Sequence, residues 1–209
     1  KEDKYLPLQS PVFNESLTGY KGGNVTRTGI SIIYDSRNNY TYATNGHYWK
    51  LNYSYTFPFL KNNFKFDRLI FESRSFYTFK SKHTIGFNTN IETVQGNVPF
   101  FELRQLGSSF IMRGYYTGRF REQNFVAGQM EYRFHFANRW ALASFAGTGT
   151  VFKNNEFNFP DLKPNYGVGI RYFYDLVSGI TIRLDYGWGE KIPGESRIGN
   201  FYIFVGEAF

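Results

Sequence analysis

The chain has 209 residues, which is enough for one domain or for part of a larger one, and aromatic residues make up 21% of it. No run of apolar residues approaches the 18 that a transmembrane helix needs, so that class is excluded. Cysteine is absent, which excludes disulfide scaffolds, thiolate metal sites and cysteine nucleophiles. The net charge is +7 at pH 7, but Lys and Arg are scattered rather than clustered, which argues against a nucleic-acid partner.

The strongest signal along the chain is a period of two residues. From His47 to Phe59 the odd positions are mostly aromatic and the even ones mostly polar, and Ile180 to Gly189 alternates in the same way. This is the period of a β-strand, and several links between such segments are too short for a crossover helix. The pattern therefore predicts an all-β, antiparallel chain of about nine strands, at 26–37, 47–59, 64–79, 82–95, 124–136, 139–152, 164–176, 179–189 and 199–209.

The two faces of these strands differ in a way that favours a transmembrane β-barrel over a secreted soluble sandwich. The apolar face is rich in Phe, Tyr and Trp, whereas the other face carries Gly, Ser, Thr, Asn and single charges. Aromatic girdles outside and a polar lumen inside are typical of outer-membrane barrels. We therefore predict that Tyr53, Tyr132 and Ile182 face lipid and that Asn52, Glu131 and Arg183 face the lumen.

Two segments break the rhythm or end it. Residues 96–123 form a long loop with several Gly and Arg residues, and loops of this length are usually functional or disordered. Residues 199–209 are predicted to be a C-terminal β-signal strand that ends on an aromatic residue. Its apolar face is predicted to carry Phe201, Ile203, Val205, Glu207 and Phe209, and Gly206 within it is expected to weaken the strand.

Catalytic and cofactor chemistry has little support in the sequence. The three histidines, His47, His83 and His135, show no metal-ligand spacing, so we expect no metal site. A barrel phospholipase would need a His and a Ser on one face, and His135 and Ser144 fall on opposite phases of the alternation. We therefore expect no enzyme activity and no cofactor.

One segment of the long loop resembles a known family. Arg113-Gly114 sits in a motif that resembles the inserted-loop motif of the BamA/TamA superfamily, which includes outer-membrane protein assembly factors and two-partner secretion transporters. Further segments, in the same order along the chain, resemble other motifs of that superfamily. The loop motif is Gly107-Ser108-Ser109-Phe110-Ile111-Met112-Arg113-Gly114-Tyr115. The further segments, in chain order, are Tyr34-Asp35-Ser36-Arg37-Asn38, Thr44-Asn45-Gly46, Gln129-Met130-Glu131-Tyr132-Arg133-Phe134, Gly147-Thr148-Gly149-Thr150-Val151-Phe152 and Phe204-Val205-Gly206-Glu207-Ala208-Phe209.

The resemblance implies a sixteen-stranded outer-membrane barrel, of which this chain would be the C-terminal portion, with 1–25 as an extracellular loop and 96–123 inserted into the lumen. The motif residues Met112, Arg113, Gly114 and Tyr115 would form the loop tip, and Arg113 would contact Glu131 on the inner wall. The family's second wall acid falls at Gly147, so Arg113 either relies on Glu131 alone or uses another lumen carboxylate. Asp185 and Asp175 are the candidates.

The resemblance also implies a function. Barrels of this superfamily insert or translocate polypeptides at the bacterial outer membrane through a weak seam, to which Phe201, Ile203, Val205, Gly206 and Phe209 would contribute here. The implied partners are outer-membrane lipid, unfolded client polypeptides and accessory assembly subunits. The alternative is a passive pore or a membrane anchor, and POTRA-type domains upstream would favour the first interpretation.

Overall fold

The computed structural model describes residues 17–57, 63–191 and 199–209, and within them one nine-stranded antiparallel sheet dominates. Neighbours along the chain are neighbours in the sheet, in the order β1-β2-β3-β4-β7-β8-β9-β10-β11. A two-stranded hairpin, β5 and β6, lies in the long loop. The strands are β1 (Arg27–Asp35), β2 (Gly46–Thr56), β3 (Phe66–Phe79), β4 (His83–Gly96), β5 (Arg104–Gln105), β6 (Arg121–Glu122), β7 (Asn124–Ala137), β8 (Trp140–Phe152), β9 (Lys163–Asp175), β10 (Ile180–Trp188) and β11 (Gly199–Val205).

The predicted fold class is confirmed, since each predicted strand is found and its ends differ by only a few residues. The largest difference is at the last strand, which ends at Val205 instead of continuing to Phe209. Within the described ranges no helix is long and apolar enough to cross a membrane. Residues 1–16 of the predicted 1–25 loop and residues 58–59 of the predicted 47–59 strand lie outside the described residues.

The links between strands divide the sheet into two unlike ends. At one end, the turn end, β3–β4, β7–β8 and β9–β10 are joined by only a few residues each, and Lys80 and Ser81 adopt positive φ angles of 49° and 58°. The β1–β2 link at this end, residues 36–45, is longer. At the other end, the loop end, all the links are of about that length or longer, and the longest is the 97–123 segment. Segment 17–25 also lies at the loop end, where Phe100 N donates to Thr18 O at 2.9 Å.

From β2 to β10, one face of the sheet is more buried than the other. On β10, Arg183 on the inner face is 0% exposed and its neighbour Ile182 on the outer face is 40% exposed. The inner face is covered by the 97–123 loop, whose Leu106 and Met112 pack on Phe125 of β7. The period of two therefore placed both residues on the correct faces, and the described residues form part of a barrel wall with a loop folded inside it.

The end of the chain departs from the predicted alternation. Phe201, Ile203 and Val205 are exposed on the outer face as predicted. Gly206 then adopts φ = +101°, which a glycine takes without strain, and the backbone turns towards the inner face. Glu207 and Phe209 therefore lie on the inner side, and the prediction that they share the outer face with Val205 is wrong.

Candidate functional site

The tip of the long loop is shaped by local hydrogen bonds and two unusual backbone conformations. Ser108 Oγ accepts hydrogen bonds from the main-chain N–H groups of Phe110 and Ile111, both at 3.1 Å. Met112 has a φ of +56° and Gly114 one of +112°. These two positions flank Arg113 and direct its side chain away from the loop and into the wall.

Arg113 is fully buried and contacts three strands of the wall. Its Nη2 lies 2.5 Å from Glu131 Oε2 on β7, and its Nη1 lies 2.6 Å from Asp185 Oδ2 on β10. Its Cζ lies 3.5 Å from the centroid of the Phe145 ring on β8. A planar guanidinium can bind two carboxylates in its plane and stack on a ring at the same time, which an ammonium cannot do.

Three more arginines surround the same carboxylates, and we call the whole set the arginine cluster. Glu131 also accepts from Arg133 Nε at 2.8 Å and lies 3.3 Å from Arg171 Nη2. Asp185 also accepts from Arg171 at 2.5 Å and from Arg183 at 2.9 Å. A third carboxylate, Glu207, accepts from Arg171 Nε at 2.9 Å. The members of the cluster are Arg113, Arg133, Arg171, Arg183, Glu131, Asp185 and Glu207.

The described cluster holds four guanidinium groups and three carboxylates, all of them almost fully buried. A buried charge without a partner costs several kcal/mol, so the surplus cation needs other acceptors. Main-chain oxygens supply them: Arg133 donates to Ala43 O and Phe209 O, and Arg183 donates to Ser109 O. Ring faces of Phe204 and Tyr42 lie 5.2 and 5.1 Å from Arg183 and Arg133.

Glycines on β10 and directly after it make room for the loop. A Cβ at position 187 would lie 2.8 Å from the carbonyl carbon of Arg113, and one at 189 would lie 2.9 Å from the Tyr115 ring. Gly114 packs on the main chain of Trp188, where a Cβ would overlap it. The small residues on the inner face of β10 are therefore the surface on which the loop tip rests.

Polar side chains fasten the tip to its surroundings. Gly114 N donates to Tyr202 Oη at 2.8 Å, and Asn200 Nδ2 donates to Gly114 O at 2.9 Å, so β11 holds the motif glycine from both sides. Tyr115 Oη donates to Pro164 O at 2.5 Å and accepts from Glu190 N at 2.9 Å. Burial raises the pKa of the Tyr115 phenol, so it remains a neutral donor.

The second carboxylate for Arg113 comes from β10 and not from β8. At Gly147 of β8 there is no space for an acid, because a Cβ there would lie 2.8 Å from Asn165 Oδ1. Asn165 instead donates to Arg113 O at 3.2 Å. Of the two candidates left open by the sequence, Asp185 contacts Arg113 and Asp175 does not. Asp175 is the last residue of β9, and its carboxylate accepts from Val177 N at 2.8 Å in the following turn.

Glu207 and Phe209 are members of the site that the sequence pattern did not reveal. Glu207 accepts from Thr181 Oγ1 at 2.6 Å in addition to its contact with Arg171. Phe209 is 5% exposed, stacks on Phe76 with ring centroids 6.1 Å apart and lies below the Arg133 guanidinium. Segment 206–209 therefore covers the arginine cluster on the side that faces the turn end of the sheet. Tyr42, whose ring lies beside the Arg133 guanidinium, is also buried, and this burial raises the pKa of its phenol to about 12.

The chain matches one known protein family and is similar to a solved structure. The model of the Omp85 superfamily domain matches residues 8–209. The chain belongs to the Omp85 superfamily. Among solved structures it is similar to BamA of Haemophilus ducreyi lacking POTRA domains 1–3, with a TM-score of 0.62 and 15% sequence identity over 84% of this chain and 41% of that one. The chain thus spans less than half the length of that structure. No curated protein sequence matches it.

The Omp85 assignment confirms the family predicted from the loop motif and gives context to the strand edges. Within the described residues β1 pairs only with β2, and β11 pairs only with β10. Along β1 all nine residues are exposed. Each of these strands therefore presents one row of main-chain N–H and C=O groups without a partner inside the described sheet.

A second, smaller cluster of ion pairs holds the base of the loop on β3 and β4. Glu92 of β4 lies 3.1 Å from Arg68 of β3 and 3.0 Å from Arg104 of the loop. Glu102, also in the loop, pairs with Arg68 at 2.8 Å. The loop of this Omp85 chain is therefore held at two places, its base on β3 and β4 and its tip on β7 to β11.

The residues considered for catalysis do not converge. Ser144 is exposed on the outer face of β8, whereas His135 lies on the inner phase of β7 and stacks on Phe173. Among the described residues there is no group of three or more His, Cys, Asp or Glu that could hold a metal ion.

Proposed function

We propose that this chain is part of the wall of an outer-membrane barrel of the BamA/TamA type, and that it inserts or translocates polypeptides at a weak seam. Membership of the Omp85 superfamily supports the membrane location. The outer face supports it too, because it exposes apolar and aromatic side chains such as Ile32, Tyr53 and Leu142 across the sheet. Lipid is the solvent that suits such a face.

The orientation follows from the lengths of the links. Outer-membrane barrels have short periplasmic turns and longer extracellular loops. The turn end would then face the periplasm, and the 97–123 loop would enter the lumen from the cell surface. Segment 17–25, which contacts the base of that loop, would lie on the extracellular side.

This chain would contribute β11, the last strand of the described sheet, to the seam. A strand edge with free main-chain groups can template an additional strand by β-augmentation. β11 is short, has Gly199 at its start and ends at the turn of Gly206, so few ladder hydrogen bonds hold it. A client strand would add to this edge, and accessory assembly subunits would act at the periplasmic turns.

The observation that carries the proposal is the locked loop tip. Arg113 ties β7 and β10 together from inside, while Asn200 and Tyr202 of β11 hold only the main chain of Gly114. The wall beside the seam is therefore braced by buried ion pairs, whereas the edge strand is held by its main-chain pairing with β10 and by two neutral hydrogen bonds to the loop tip. Such an arrangement lets the edge exchange partners without loss of the wall.

We propose that the activity is not enzymatic and needs no cofactor. The alternative is a passive pore or anchor, which has some support from a polar hollow of about 500 Å³ between the loop and the inner face of β3 and β4. Arg74, Asn88 and Asn90 are among the residues that line it.

These 209 residues contain no cysteine, so a single cysteine introduced into them allows a direct test by disulfide capture in vesicles that contain the full-length protein. Ile203→Cys places a thiol on the edge strand β11, and Leu142→Cys places one on the outer face of β8, which is also exposed but has neighbours on both sides. A client strand added to β11 would bring a cysteine within disulfide reach of position 203 only. Capture at both positions, or at neither, would favour the passive alternative.

A further inference from the structure

Two neighbouring hollows lie near the turn end, the larger one on the outer face of the sheet. The larger, of about 440 Å³, is apolar and is bounded by side chains of three strands, Tyr132, Phe134, Leu142, Ser144, Val168 and Ile170. Ser144 is paired with Tyr132 on one side and Val168 on the other, so a small side chain stands between two large ones. The outer face is therefore dented at this place.

The smaller hollow, of about 250 Å³, lies between the β3–β4 and β7–β8 turns. It is polar, and its lining includes Ser81, Lys82 and Asn138. Phe134 borders the larger hollow and Phe136 the smaller one, so they lie two residues apart on β7, or about 7 Å.

Positive charge collects around the smaller hollow. Lys80, Lys82 and Arg139 lie in these two turns, and segments 79–84 and 136–141 contain no acidic residue. Arg139 is positioned by two main-chain acceptors, Phe173 O at 2.9 Å and Tyr174 O at 3.0 Å, so it makes these contacts without losing its charge. Neither lysine makes an ion pair with any residue that the structure describes.

We infer that the two hollows form one binding site for an anionic glycerophospholipid of the periplasmic leaflet, an inference that rests on the proposed membrane location. One acyl chain fills the apolar dent, and the headgroup phosphate is bound by Lys82 and its neighbours. From Trp140 at the start of β8 to Ser144 the strand spans four residues, about 13 Å, which lies within the depth of one leaflet with its headgroup layer.

The position of the site at the turn end selects the source of the phosphate. Phospholipid and lipopolysaccharide both offer phosphate and acyl chains, but the turn end would face the periplasm, where the leaflet consists of phospholipid. Aromatic rings form a rigid border around the site. Among them, the His83 ring stacks on Phe134 with centroids 4.9 Å apart and is hydrogen-bonded through Nδ1 to Tyr132 Oη.

The inference can be tested by native mass spectrometry of the full-length protein, with phosphatidylglycerol and phosphatidylethanolamine added separately. Lys82→Glu should weaken phosphatidylglycerol retention at least about fivefold, since one cation near an anionic headgroup contributes on this scale, and should affect phosphatidylethanolamine less. Ser144→Phe fills the dent and should weaken retention of both lipids.

Two variants serve as matched controls. Lys153→Glu reverses a charge at the loop end, and Ala146→Phe adds a ring on the same face of β8 outside the dent. If the test variants retain lipid as their controls do, or if lipopolysaccharide is retained in preference to phosphatidylglycerol, the lipid site is refuted. Should Ser144→Phe not fold, Lys82→Glu decides alone. A wild-type protein that does not fold into vesicles at all would overturn the proposed membrane function as well.

Discussion

Arg113 and Asp185 are 72 residues apart in the chain, and their side chains meet at 2.6 Å with both groups fully buried. One belongs to the tip of a loop and the other to the inner face of β10. Each would be an isolated buried charge if the loop left the wall, so the position of the loop and the ionisation of the wall depend on each other.

Because of this dependence, we expect that replacing either member of the pair lowers the free energy of unfolding, and that the two losses differ. The described cluster has four guanidiniums for three carboxylates, so Asp185→Asn increases the surplus and Arg113→Met removes it. Breaking the pair from either side should cost about 3–5 kcal/mol, with Asp185→Asn the more damaging. The double variant should lose less than the sum, and urea unfolding of the detergent-folded barrel measures all three. Arg121→Ala, in an exposed part of the loop, is the control, and additive losses would contradict the coupling.

The landing surface of the loop predicts a steric effect of one methyl group. Gly187→Ala would place a Cβ 2.8 Å from the Arg113 carbonyl carbon, whereas a Cβ at Gly128 of β7 has nothing within 4 Å. Gly187→Ala should therefore displace the loop and make its tip sensitive to added protease, and Gly128→Ala should not. Equal protease resistance of the two variants would show that the tip does not rest on β10.

The proposed lipid contact of the outer face predicts opposite results at adjacent positions of β2. Leu51 lies on the exposed outer face in the middle of the strand, and Asn52 faces inward and donates to Ser31 Oγ at 2.7 Å. Leu51→Arg should cost roughly 2–4 kcal/mol of barrel stability in a bilayer, because the guanidinium would enter lipid. Asn52→Arg should cost much less. Heat-modifiable migration on gels scores folded barrel, and equal damage would mean that this face is not against lipid.

The turn at Gly206 predicts that two phenylalanines near the end of the chain differ in effect. Phe209 is packed inside on Phe76, and Phe201 is 57% exposed outside. Phe209→Ala should cost about 3–5 kcal/mol, as for other buried aromatic deletions. Phe201→Ala should cost clearly less, because the protein buries only part of the Phe201 ring. Denaturant midpoints in detergent distinguish the two, and a larger loss for Phe201→Ala would indicate that the tail is not seated inside.

Periodicity alone predicted the strands and the face of almost every strand residue, because a period of two is a local property of extended backbone. It could not choose between Asp175 and Asp185. Both lie on the inner phase, and the choice depends on their depth along the wall, which is set by the stagger between strands. Glu207 was assigned to the wrong face because one positive φ at Gly206 inverts the alternation after it. The contact of Thr181 with Glu207 depends on that same turn.

The shared carboxylates also impose an order on folding. Glu131, Asp185 and Glu207 belong to β7, β10 and the segment after β11, and Arg171 of β9 contacts all three. Because Arg171 needs partners from β7, β10 and the tail, the complete cluster forms only after β7 to β10 have paired and the tail has turned inward. Contacts between residues so distant in sequence form late because the loops between them must close first. The loop tip can therefore lock only onto a wall that is already correctly assembled, which makes its insertion a built-in check on the completeness of folding.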